Sequence, residues 1–133
     1  MANVIMDAGR EGFLGGSIAY ATDNIKAFLG DAADHTVNTS TDRDLADITG
    51  AAIEETSGNF ASKSITDGTA DAADVTWSAA SGDPCEFIMI YQDTGVAATS
   101  LLIAYYDTAT GLPVTLNGGD VTSQWNASGQ FTL

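Results

Sequence analysis

The sequence predicts a mainly β protein, a single antiparallel β-sandwich or barrel-like domain with a short N-terminal helix, and three observations carry that reading. Short apolar or alternating runs recur from residue 60 to the C-terminus, which is the period-2 signature of strands. Gly, Asp and Asn signals separate most of these runs, at points where positive φ or side-chain turns reverse the chain. Of the eighteen acidic residues, fourteen are Asp and four are Glu. Asp competes with a helical backbone and favours turns and caps.

In chain order, Asn3 is placed to cap a helix reaching Leu14, with Ile5, Met6, Phe13 and Leu14 on one face and Gly15-Gly16 ending it. Gly9 and Gly12 each cost it about 1 kcal/mol relative to Ala, so it needs a packing surface, either its own sheet or a neighbouring subunit. Ser17–Ala21 and Asn24–Leu29 read as strands that bury Ile18, Tyr20, Ile25 and Phe28. Residues 30–41 read as a loop, Asp42–Ile48 as one helical turn capped by Asp42, and Ala51–Thr56 as a further strand. The later strands are Phe60–Thr66, Asp74–Ala79, Glu86–Gln92, Leu101–Asp107, Val114–Leu116, Val121–Trp125 and Gln130–Leu133. Phe87–Tyr91 and Leu101–Tyr106 are apolar at consecutive positions, as in central strands covered on both faces.

The chain has 133 residues, 44% of them apolar, with eleven aromatic side chains. That is material for one core, so residues 1–133 form one domain: an N-terminal helix or arm over 1–16 and a β domain over 17–133. The formal charge is −14, with four basic residues, a balance that repels nucleic acid and anionic lipid and gives no reason to expect either as a partner. Asp7, Arg10 and Glu11 interrupt the N-terminal apolar stretch, unlike an export signal. The longest apolar runs are too short to cross a membrane.

No motif for catalysis stands out. Cys85 and His35 are single residues of their kind, and a nucleophile–base pair would also need a third group to orient the imidazole. No Gly-x-Ser-x-Gly elbow or phosphate-binding glycine loop occurs. Asp42, Asp44 and Asp47, and Asp67, Asp71 and Asp74, group oxygen ligands of the kind calcium takes, but their spacing is not that of an EF-hand and each has an ordinary role in turns. No cofactor is expected. Trp77 and Trp125, with Tyr91, Tyr105 and Tyr106, supply either a sugar-stacking platform or ordinary packing.

Several stretches carry a family likeness: Gly9-Arg-Glu-Gly-Phe-Leu-Gly-Gly16, Ile25-Lys-Ala-Phe-Leu-Gly-Asp31, Thr66-Asp-Gly-Thr-Ala-Asp-Ala-Ala-Asp-Val-Thr-Trp77, Ile90-Tyr-Gln-Asp-Thr-Gly95 and the run from Leu102 to Thr122. Through them the chain resembles small structural proteins of tailed-bacteriophage virions along nearly its whole length. Gly9 departs from that pattern, where a better helix former is expected. The resemblance implies a non-enzymatic particle component, most simply a capsid decoration or cement protein made in the bacterial cytoplasm and carried on the outer capsid surface. Its partners would be the major capsid protein and further copies of itself, as a homotrimer. Ile5, Met6, Arg10, Phe13 and Leu14 are the interface residues this reading proposes. A tail, neck or head-fibre component is the alternative within the class, and a carbohydrate-binding β module is the alternative outside it.

Overall fold

The computed structural model describes residues 3–109 and 111–133. They are 32% strand and 14% helix. The elements in order are β1 (Val4–Ile5), α1 (Asp7–Gly15), β2 (Ile25–Gly30), β3 (Ile53–Thr56), β4 (Ser64–Thr66), β5 (Thr69–Asp71), β6 (Val75–Trp77), β7 (Phe87–Gln92), β8 (Leu102–Tyr106), β9 (Val121–Ser123) and β10 (Phe131–Thr132). They make three antiparallel sheets: five strands in the order β1-β8-β7-β2-β3, three in the order β10-β5-β4, and the pair β6-β9. None of the sheets closes on itself.

The five-stranded sheet is covered on both faces, which explains its unbroken apolar runs. Alternation along β7 sends Ile88 and Ile90 to one side and Phe87, Met89 and Tyr91 to the other. Neighbouring strands keep that division through register: Ala27 lies opposite Ile90 on β2, and Phe28 opposite Met89. On β8 the register shifts beside Ile90 and Tyr91. This bulge leaves Ile103 as the extra residue between Leu102 and Ala104, so Ile103 and Ala104 both join the Ile88–Ile90 side.

The N-terminal segment is built into this sheet. Val4 and Ile5 pair with Tyr105 and Ala104, as β-branched residues favour. The helix therefore starts later than expected, with Met6 in the cap position and no side-chain cap bond. Asn3 instead accepts from the backbone N–H groups of Asp107 and Thr108, each at 3.0 Å. The buried positions of α1 are Ala8, Gly9 and Gly12, so the helix meets the sheet through its small residues. A Cβ on Gly9 would lie 2.8 Å from both the Cα and the carbonyl oxygen of Ile103, a backbone approach that only glycine allows. The residue that looks out of place in a helix is the one that lets the helix dock.

Other expectations are corrected by local hydrogen bonding. Ser17–Ala21 forms turns instead of a strand, since the Asp23 carboxylate accepts from the Ala19 N–H at 2.8 Å, although Ile18 and Tyr20 are buried as expected. The helical turn is a 3-10 turn over Leu45–Asp47 capped by Asp44, not Asp42. Of Phe60–Thr66 only β4 is strand, and Val114–Leu116 reduces to one bridge between Val114 and Cys85. β5 was not foreseen: Asp67 (φ 51°) and Gly68 (φ 77°) turn β4 back onto it, the two-residue hairpin geometry that Asp-Gly favours.

The Gly9 contact gives a direct test. Gly9→Ala gains about 1 kcal/mol of helix propensity but loses about 1–3 kcal/mol to overpacking, so denaturant unfolding should show net destabilisation. Gly15→Ala, whose Cβ meets nothing within 4 Å, should be neutral or stabilising. Equal behaviour of the two variants would contradict the packing described.

Candidate functional sites

The four cations are all occupied within the chain. Arg10 meets Asp7 at 3.0 Å, Lys26 meets Asp93 at 2.7 Å, and Arg43 pairs with Glu11. Lys63 donates to the carbonyl oxygen of Asp23. The Lys26 ammonium, helped by the Gly95 N–H, holds the Asp93 carboxyl below its ordinary value. With four basic residues against eighteen acidic ones, the protein's outward field is strongly negative.

Of the six aspartates with calcium-type oxygens, five accept from backbone N–H groups. Asp42 accepts from the Asn38 N–H at 2.8 Å and lies 2.9 Å from His35 Nε2. Asp44 caps Ala46, and Asp47 accepts from the Arg43 and Asp44 N–H groups. Asp67 forms the hairpin turn, Asp71 accepts from the Ala72 N–H, and Asp74 accepts from the Trp125 N–H. Among the described residues the carboxylates that do converge are Asp31, Asp34, Glu54 and Asp83, with oxygens within 4.8 Å of one another. They come from the end of β2, the loop after it, β3, and the loop before Cys85, so no local spacing announces them. Glu86 adjoins this group: burial, and then a hydrogen bond to Asp31, raise its carboxyl above the ordinary value, against the lowering effect of the Ala32 N–H.

Cys85 and His35 are each committed elsewhere. The Cys85 thiol is pushed up to about 12, first by burial and then by Glu54, Glu86, Asp31 and Asp83, so it is a neutral packing group at physiological pH. His35 Nδ1 accepts from the Thr49 N–H at 3.3 Å. Its Nε2 proton is therefore directed at Asp42, and neither ring nitrogen is left to activate a thiol.

The five aromatic residues divide between the two faces of the main sheet. Tyr91 and Tyr105 lie in the core with Phe28 and Phe87, their phenols raised to about 12 chiefly by burial. Trp77, Trp125 and Tyr106 line an open cleft of about 1040 Å³ on the other side. Leu29, Ile88 and Tyr106 form its floor on β2, β7 and β8, and its walls are β6, β9 and residues 124–132.

The proposed interface residues do not form one seam. Met6 is fully buried, Ile5 and Phe13 are half-buried, and Arg10 is exposed and paired with Asp7. Phe13 packs on Phe131 with ring centroids 5.9 Å apart, while Leu14 is 88% exposed. Because Met6 precedes the helix and fills the core, it lies off the exposed surface. Among the described residues no helix is long and apolar enough to cross a membrane. Comparison with protein-family models and with curated proteins finds no match for this chain.

The raised Glu86 carboxyl sets a pH test. Its folded-state value lies above its unfolded value, so ionising it costs stability at neutral pH, and that cost is relieved as pH falls through the folded value. Glu86→Gln keeps an acceptor for the Ala32 N–H. The variant should melt higher than wild type at pH 7, with the gap closing as the solution is acidified; a lower melting temperature at pH 7 would contradict the assignment.

Proposed function

We propose that this chain is a non-enzymatic structural protein of a tailed-bacteriophage virion, a capsid decoration protein that binds the major capsid protein. The observation that carries the reading is the one-sided charge: each of the four Lys and Arg side chains is held by an internal oxygen partner, while the net charge is −14. Such a surface is complementary to a basic protein patch and is suited to the outside of a shell, away from packaged DNA. The neutral, buried Cys85 and the fully engaged His35 support a role without covalent chemistry. The resemblance along the strands and turns supports the phage assignment, with copies grouped as trimers on the shell.

The test is to add the purified protein to particles that lack it and follow sedimentation with the particles as salt rises. Screening shrinks from about 10 Å at 0.1 M salt to about 3 Å at 1 M, so the protein should bind at low salt and be stripped at high salt. Absence of binding at low salt would refute the assignment, and retention at 1 M salt would refute electrostatic docking.

A further inference from the structure

The cleft between the main sheet and the two small sheets differs from the rest of the surface. Although 17% of the chain is charged, none of the described residues lining the cleft carries a charged side chain. Its walls offer amides and hydroxyls instead, among them Thr122, Gln124, Asn126 and Ser128, set beside aromatic rings.

Two lining side chains also hold unused donors. Trp77 is 2% exposed and Gln130 is 8% exposed, yet among the described residues neither Trp77 Nε1 nor Gln130 Nε2 has a hydrogen-bond partner. Gln130 is firmly oriented, since its Oε1 accepts the Tyr20 hydroxyl proton and its carbonyl oxygen accepts the Tyr106 hydroxyl at 2.7 Å. A buried donor left unpaired costs about 1–3 kcal/mol, and two beside one cleft favour an occupant that brings acceptors. Trp125 is likewise fixed in place: its Nε1 donates to the Ala73 carbonyl at 3.1 Å, and its ring lies 5.7 Å from Phe60 and 6.1 Å from Tyr106. A ring held this way loses little freedom when a ligand stacks on it.

We propose that this cleft binds a neutral oligosaccharide, with Trp125 and Tyr106 packing against the C–H faces of the sugar rings and Trp77 Nε1 and Gln130 Nε2 donating to sugar oxygens. The chemistry selects this class. Sugar hydroxyls accept from the two orphan donors and donate to the Asn, Gln, Ser and Thr oxygens of the rim. An anionic glycan or a phosphate would call for Arg or Lys, and the described lining has neither. An extended peptide would rely on a free strand edge rather than on two side-chain donors set in a wall. The inference goes beyond the particle reading and does not depend on it, because failure to bind capsids leaves sugar binding intact and the reverse also holds.

The experiment uses the full chain and NMR of its two tryptophan indole N–H signals, assigned with Trp125→Phe. The probes are α- and β-linked hexaoses of glucose, mannose, galactose and N-acetylglucosamine, with an oligogalacturonate hexamer as the charged control. At least one neutral hexaose should shift the Trp77 indole signal saturably. Gln124→Ala and Ser128→Ala, both at exposed positions, should weaken that probe about tenfold each, or about 1.4 kcal/mol, with melting temperatures unchanged. The proposal is overturned if no neutral hexaose shifts the signal at millimolar concentration, if the charged hexamer binds as well, or if the rim variants bind like wild type. Shifts of the same signals with protein concentration alone would also overturn it, by showing a second copy seated in the cleft.

Discussion

Burial of β7 on both faces is the constraint on which the rest of the structure depends. All six of its residues are buried, and each fully buried large apolar side chain is worth about 1.5–3 kcal/mol relative to exposure. On one face Phe87 meets Phe28 at 5.9 Å and Tyr105 at 5.1 Å. On the other, Ile88 and Ile90 share a core with Ile25, Leu29 and Ile103. A central strand that is apolar on both sides has to recruit two covers, and most of the remaining chain serves as one or the other.

The covers differ in kind, and the difference shapes the surface. Met6, Val37, Ile48 and Ala52, drawn from the N-terminal segment and the long loop after β2, close the Phe87 side. The opposite side is closed by α1 through Phe13 and by the two small sheets, whose strands are only two or three residues long. Sheets this small are marginal alone and hold together because they lean on the larger one. They cover the main sheet incompletely, and the uncharged cleft is the space left between them. Apart from the buried Asp31 and Asp42, the carboxylates are exposed or half-buried, so the negative field faces outward while the described residues of the cleft carry no charged side chain.

The two central strands were legible in the sequence because unbroken apolar runs have a simple physical cause. The Asp67-Gly68 turn was legible for the same reason, since positive φ at both positions is what that dipeptide tolerates. The β5 strand it leads to was not, because Thr69, Ala70 and Asp71 carry neither alternation nor bulk and are held by partners on β4 and β10. Gly9 misled by its type: judged by propensity it weakens a helix, and its reason is a backbone on β8 more than ninety residues away. Of the candidate sites, sequence proximity singled out Asp42, Asp44 and Asp47, which local backbone donors absorb. The convergent Asp31, Asp34, Glu54 and Asp83 come from three separate segments and left no signal. The sequence groups Trp77 and Trp125 with Tyr91, Tyr105 and Tyr106, but the alternation of strands sends Tyr91 and Tyr105 to the far face.

The central claim is that β7 holds the fold together and the small sheets depend on it. Native-state hydrogen exchange resolved by residue tests this most directly. The account predicts that the amides of Ile88, Met89 and Ile90 exchange only through global unfolding, with those of β4, β5 and β10 opening at distinctly lower free energy. Exchange from β7 through local opening, or equal protection in the small sheets, would contradict it.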